Sequence, residues 1–289
     1  LGIVPYHTKT GRESPYAMQL EAVETILKAV KECPEVKAAF LKGSLAKGTD
    51  DEYSDVDLYC LVDSAYLGQF LEKRLEILET YRPVIYHSES NFVGPQLVAV
   101  FDNGLHIDLY TVTLDSFPPA GQFRVLYDPD CLLDRFRAGI TDHSMPWEQV
   151  VRCFHSFSFS MLEFYVAWGR GDQVWSARLA SHLAGDLGIV LRCLYDPANG
   201  QLGTKRLETV LPADIRDKLR AAVRSSCGDA IPHGVLQLAA LMREAMERLE
   251  AENGQTANWK LFEFMVEQIK SLVKPDGCPG VRLDGRNER

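Results

Sequence analysis

The chain has 289 residues, 46% of them hydrophobic and 25% charged. That is an ordinary globular composition, enough for one to three domains with substantial cores, and two are expected. A formal net charge of −9 argues against a strongly basic surface for nucleic acid. Residues 1–115 carry 18 Asp and Glu against 10 Lys and Arg, whereas residues 116–289 carry 22 against 21. The acidity therefore sits in the N-terminal part, as suits a site that attracts cations. The seven cysteines are scattered, odd in number and free of CxxC spacing. They indicate neither a disulfide framework nor a zinc knuckle, and a reducing cytoplasm is the expected compartment. No uninterrupted apolar run approaches 18 residues, and LGIVPYHTKTGRESP lacks the basic-then-apolar order of a signal, so no membrane or export role is expected.

In chain order, Ser14-Pro15 is expected to open a first helix, with serine capping and proline at the first helical position. Its apolar stripe runs through Leu20, Val23, Ile26, Leu27 and Val30, and Cys33-Pro34 ends it. VKAAFLKG at 36–43 reads as a strand running into a glycine. SLAKG follows as a turn or one helical turn, and DVDLYCLV at 55–62 as a second strand. A helix over 65–80 precedes three further strands, PVIYH, QLVAVFD and LHIDLYTV, the last two joined by an Asp102-Asn103-Gly104 hairpin turn. From Trp147 the pattern is helical, with helices expected at 147–168, 174–195, 213–225, 233–253 and 257–273. The expected fold class is α+β, a mixed-sheet domain over 1–125 and an all-helical domain over 126–275, with a loosely ordered tail at 276–289.

Chemistry concentrates in GSLAKGTDDEYSDVDL at 43–58. Side chains two apart on a strand share a face, so Asp55 and Asp57 point one way while Val56 and Leu58 point into a core. The bland reading is a polar loop leading into a half-buried strand. HIDLY at 106–110 weighs against it, because it sets His106, Asp108 and Tyr110 on one face of another strand, where Asp108 could meet the first pair. Three unpaired carboxylates in a crevice repel, and a divalent cation removes that cost. Magnesium commonly sits between one or two carboxylates and substrate phosphates. Gly43 and Gly48 allow close backbone approach to phosphate, and Ser44, Lys47 and Lys42 could help hold it. The spacing fits neither the GxxxxGK[ST] loop nor the dinucleotide fingerprint. The run Asp50-Asp51-Glu52 reads as a solvated acidic surface.

The set Gly43-Ser44, Gly48, Ser54-Asp55-Val56-Asp57-Leu58 and Asp108 resembles the nucleotidyltransferase superfamily of the DNA polymerase beta type. The resemblance implies a small palm-like sheet and two Mg2+ ions held by Asp55, Asp57 and Asp108. Gly43, Ser44, Lys47, Gly48 and Ser54 would lie on the nucleotide side. The implied reaction is in-line attack of an acceptor hydroxyl on the α-phosphorus of a nucleoside triphosphate, with ATP the default donor and pyrophosphate released. Asp108 would assist the acceptor proton as a base or through the metal it orients.

A domain of this kind followed by helices looks like the bacterial adenylyltransferases of aminoglycosides and lincosamides. In those the helical part shapes the acceptor pocket, often across a dimer, so a homodimer is carried as an option. Glu163, among Phe159, Leu162, Tyr165 and Val166, is the acceptor-side base candidate. A surface or salt-bridged helix position is its alternative. Asp186 and His155 are weaker candidates, and His155 is expected to be a satisfied packing residue. The aromatic series from Phe154 to Trp168 reads as core or interface. The near-neutral charge of 116–289 does not favour a polycationic aminoglycoside. A small hydroxylated, antibiotic-like acceptor is therefore the main expectation. RNA or protein as acceptor is the enzymatic alternative, although Lys205-Arg206 and the arginines of 216–224 make no convincing phosphate track. The remaining alternative is a non-enzymatic regulatory protein on the same fold, against which stands the presence of all three carboxylates.

Overall fold

The computed structural model describes residues 17–91, 94–118, 121–137 and 145–273. The expected cap at Ser14-Pro15 and the tail at 276–289 lie outside them. The chain divides into two units, Leu1–Thr141 and Asp142–Arg289.

The first unit is a mixed six-stranded sheet in the order β3-β4-β5-β2-β1-β6. Its strands are β1 (Val36–Leu41), β2 (Val56–Val62), β3 (Val84–Asn91), β4 (Pro95–Phe101), β5 (His106–Val112) and β6 (Arg124–Tyr127). β2 and β5 run parallel, while every other pairing is antiparallel. Alternation sorts the side chains onto two faces. Val56, Leu58, Cys60, Ile107 and Leu109 join one core with residues of α1 (Ala17–Glu32) and α3 (Leu67–Glu79). Phe40, Tyr59, Leu61, Tyr110 and Val112 join the other, covered by Phe117, Leu133 and Phe136. β4 and β5 are joined by a turn in which Gly104 N–H donates to Phe101 O at 2.9 Å, with Gly104 at φ 82. This left-handed glycine is what a short hairpin loop of this kind requires.

Of the turn or single helical turn expected at SLAKG, the structure has the helical one, α2 (Gly43–Lys47), a five-residue helix closed by Gly48 at φ 67. Two details differ from the sequence reading. β6 has only four residues between polar segments, so no alternation long enough to read marks it. Its register on β1 is irregular. The segment 126–137, expected with the helical part, packs with the first unit, because Leu133 and Phe136 complete the aromatic layer under the sheet. Phe136, in the short helix α4 (Asp134–Arg137), stacks on Phe117 with ring centroids 3.8 Å apart.

The second unit is helical: α5 (Trp147–Gly169), α6 (Gln173–Tyr195), α7 (Ala213–Arg224), α8 (Ile231–Asn253) and α9 (Lys260–Lys270). They share one core, with Phe154, Phe157 and Phe164 of α5 fully buried in it. α9 begins later than expected. Glu250 Oε1 accepts from Ala257 N and Trp259 Nε1 at 2.6 and 2.8 Å, holding the preceding segment out of the helix. Among the described residues no helix is long and apolar enough to cross a membrane.

Candidate active site

Parallel pairing of β2 with β5 places Asp57 directly opposite Asp108. Both carboxylates lie on the aromatic face of the sheet, at its partly exposed end. Two residues deeper, Tyr59 and Tyr110 stack with ring centroids 4.3 Å apart and planes at 11°. Burial, and then the nearby carboxylates, push the Tyr110 phenol up to about 12 and raise that of Tyr59 as well, so both stay protonated beneath Asp57 and Asp108.

His106 shares the face of Asp108. Its Nε2 lies 3.0 Å from Asp108 Oδ1 and its Nδ1 lies 3.9 Å from Asp55 Oδ2. The hydrogen bond to Asp108 raises the imidazole pKa, with Asp108, Asp55 and Asp57 adding to it against the opposing effect of burial. A histidine two residues before the carboxylate on the same strand was legible in HIDLY, but its bridging of Asp55 and Asp108 was not.

Gly43 sits at φ 63, and a Cβ there would overlap the Asp57 carboxylate, with Asp57 Cγ only 3.0 Å away. The glycine is needed twice, for the left-handed backbone and for the room that Asp57 occupies. Lys42 N–H donates to Asp57 O at 3.0 Å, and Lys42 Nζ lies 5.6 Å over the Tyr59 ring. Burial lowers the Lys42 pKa, while Asp57 opposes the shift. Ser44 is half-buried at the start of α2, and Lys47 is exposed at its end.

Ser54 has a structural task. Its hydroxyl accepts from Asp51 N at 2.9 Å and donates to Asp51 Oδ1 at 3.1 Å, closing the loop ahead of β2. Within the run 50–52, expected as a solvated acidic surface, Asp51 is thus bound into the loop, while Glu52 is exposed. Gln19, 1% exposed, donates to Ser54 O at 3.1 Å, with Asp51 O and Glu52 O at 3.5 and 3.4 Å. A buried glutamine spending its amide on three carbonyls fixes where Asp55 enters the strand. It leaves no signal in the sequence, since the contact joins residues more than 30 apart.

Among the described residues no three or more His, Cys, Asp or Glu are gathered closely enough to enclose a metal ion. The donor set is instead a cross-strand carboxylate pair, Asp57 and Asp108, flanked by Asp55. It fits magnesium, which keeps part of its shell for water and substrate phosphate, better than a cation needing an all-protein cage.

Each acceptor-side candidate lies in the helical unit. Glu163 is exposed on α5 and lines a 310 Å3 pocket with Leu162, Val166, Arg170, Asp172 and Trp175. His155 is exposed, contrary to its expected packing role, because the buried stripe of α5 runs through Phe154, Phe157 and Met161 instead. Asp186 is 8% exposed, and its Oδ2 has no hydrogen-bond partner among the described residues. His182 Nε2 stands 3.8 Å from it. Burial raises the Asp186 pKa, against a hydrogen bond from Ser156 and the charge of His182. A carboxyl whose folded pKa is raised imposes no penalty at pH values below its unfolded pKa. Its cost grows as pH climbs towards the folded value and is complete above it. Asp186→Asn is therefore expected to raise the melting temperature at pH 7–8 and to change it little near pH 4. Thermal melts across pH check this, and an equal effect at both ends would exclude the ionisation.

Residues 23–122 match the family model described as "Nucleotidyltransferase domain". The match spans β1, α2, β2 and β5, with Gly43, Asp55, Asp57 and Asp108 inside it. Among solved structures, an aminoglycoside 6-adenyltransferase from Bacillus subtilis is similar at 12% identity and a TM-score of 0.40. That alignment covers 90% of this chain and 99% of the other. The CD-NTase CdnG from Bradyrhizobium diazoefficiens, in complex with GTP, is similar at 13% identity and a TM-score of 0.29, covering 90% and 86%. No curated protein sequence matches the chain.

Proposed function

We propose, from the premise that residues 23–122 are a nucleotidyltransferase domain, that the protein transfers a nucleoside monophosphate to a hydroxyl of a small, antibiotic-like molecule. The donor is ATP, and pyrophosphate leaves. The observation that carries the proposal is the direct pairing of Asp57 with Asp108 across β2 and β5, beside a glycine that leaves room for the Asp57 carboxylate. Asp55, Asp57 and Asp108 would hold Mg2+, two ions by resemblance. Bound there, magnesium would supply charge neutralisation on the phosphates and a lowered pKa for the attacking hydroxyl.

The chain's own groups divide the remaining work. Gly43, Ser44 and Gly48 would leave the backbone open to the triphosphate, with Lys47 and the partly buried Lys42 adding positive charge. Asp108 would take part in removing the acceptor proton, its carboxylate oriented by His106. Ser54 would act indirectly, by holding the loop that delivers Asp55. Tyr59 and Tyr110 would support the carboxylates from below as neutral groups. The near balance of charge in residues 116–289 supports an acceptor that is not polycationic. A cytoplasmic setting, with its supply of nucleoside triphosphate, belongs to the same proposal. So does antibiotic resistance as the outcome when the acceptor is a drug.

The test is incubation with Mg2+, each labelled nucleoside triphosphate and a panel of hydroxylated small molecules, proteins and RNAs, followed by mass spectrometry. The expected product is a small molecule heavier by one nucleotide. Labelling confined to RNA or protein would overturn the acceptor class, and no product with any acceptor or donor would overturn the transfer itself. Glu163→Gln is expected to raise KM for the acceptor several-fold, leaving KM for the nucleotide unchanged. Unaltered acceptor kinetics would remove Glu163 from the acceptor side.

A further inference from the structure

The helical unit contains a second, larger pocket, of 630 Å3, between α6, α7 and the segment that connects them. That volume lies in the range of small-molecule sites. Its floor is apolar, formed by Ala184, Leu207, Leu219 and Val223, and Val223 is 50% exposed. Its polar side is formed by Arg220, Arg224 and Glu208, with Thr204 at the edge.

The connecting segment is built rather than loose. Arg192 of α6 is 2% exposed and spends its guanidinium on that segment. Nε donates to Gly203 O at 3.1 Å, Nη1 to Asp196 Oδ2 at 2.7 Å, and Nη2 to Lys205 O. A buried guanidinium is tolerable only when satisfied in this way. Gly188 lets the segment close in, since a Cβ there would overlap Thr204 Cγ2. Arg206, at φ 55, is held in a left-handed conformation that a side-chain-bearing residue seldom adopts. The wall carrying Thr204, Leu207 and Glu208 is thus preorganised.

Charge identifies the ligand class. Arg216, Arg220 and Arg224 follow one another at helical spacing along α7. Glu208 pairs with Arg220 through Nε at 3.0 Å and through Nη2, and its carboxylate also feels Arg216 and Arg224. Asp217 stands 3.8 Å from Arg216 and 4.0 Å from Arg220, but Glu208 is the one carboxylate that lines the pocket with Arg220 and Arg224. The guanidinium fork matches carboxylate and phosphate oxygens in pairs.

We propose that this pocket binds a small oxyanion carried on an apolar body, whose head displaces Glu208 from Arg220 and engages Arg224, while the body covers Leu207, Leu219 and Val223. The site is a ligand site of the helical unit, and it does not rest on the nucleotidyl-transfer reading. Octanoate and octyl phosphate, below their micellar concentrations, are the probes. Octanol and inorganic phosphate supply the body and the head separately.

Isothermal titration calorimetry on the full chain is expected to show saturable one-site binding of octanoate, octyl phosphate or both. Which of them binds more tightly decides between a carboxylate and a phosphate head. Octanol and inorganic phosphate are expected not to saturate. Arg220→Gln with Arg224→Gln should weaken binding by at least about tenfold, as the loss of charge-assisted bonds implies. Val223→Asp, at an exposed position, should weaken it through the floor. Glu208→Gln should tighten binding several-fold, because the competing carboxylate is gone; a merely structural Glu208 would give no tightening. The proposal is overturned if neither anion saturates up to about 10 mM, if octanol binds as well as octanoate, or if the affinity is the same in folded Arg220→Gln/Arg224→Gln protein.

Discussion

Asp57→Ala is expected to reduce nucleotide transfer by about a thousandfold or more, the scale on which a reaction loses a principal electrostatic partner of its transition state. Asp108→Asn should do the same. Both carboxylates sit at the partly exposed end of strands whose other faces hold the core residues Val56, Leu58, Ile107 and Leu109. Their loss therefore leaves the packing in place, and the circular dichroism melt should stay within a few degrees of the parent. A folded Asp57→Ala protein with undiminished turnover would remove these residues from the chemistry. Loss of turnover together with loss of the melting transition would show Asp57 to be structural.

Gly43→Ala should be damaging in both respects. A left-handed backbone costs an alanine about 1–2 kcal/mol, and the new Cβ would overlap the Asp57 carboxylate. Gly104→Ala separates the two effects. Gly104 also has a left-handed φ, 82 against 63 for Gly43, but a Cβ there meets nothing within 4 Å. Denaturant titration is expected to show a comparable strain penalty in both variants, with an additional loss for Gly43→Ala. Transfer activity is expected to collapse only for Gly43→Ala. Equal activity in the two variants would show that the contact with Asp57 is not functional.

Legibility along the chain followed the range of the interactions involved. The alternation in DVDLYCLV and HIDLY predicted which side chains share a face, because the period of a strand is local and needs no partner. The helices of the second part were legible for the same reason, with α5, α6 and α7 falling within about a residue of their expected bounds. Where a distant group sets the outcome, the local pattern failed. α9 starts late because Glu250 holds Ala257 and Trp259 from another helix. β6 exists because β1 offers an edge to pair with. His155 looked like a packing residue among aromatics, yet the helix turns its buried stripe through Phe154 and Phe157 instead.

The candidate site divides in the same way. From sequence alone came the identity of its groups: the Gly43-Ser44 turn, the Asp55 and Asp57 pair, and a third carboxylate at Asp108. Spacing along one strand already requires Asp55 and Asp57 to project together. That Asp108 stands opposite Asp57 follows only from the parallel register of β2 and β5, since strand pairing is a contact between residues about 50 apart. Tertiary structure likewise decided that His106 bridges Asp55 and Asp108, that Gln19 ties down the loop closed by Ser54, and that Asp186 is buried with an unpartnered oxygen. Hydrogen bonds and burial depend on what the folded chain brings alongside a residue. A linear pattern records which face a side chain takes, and the fold determines what it meets there.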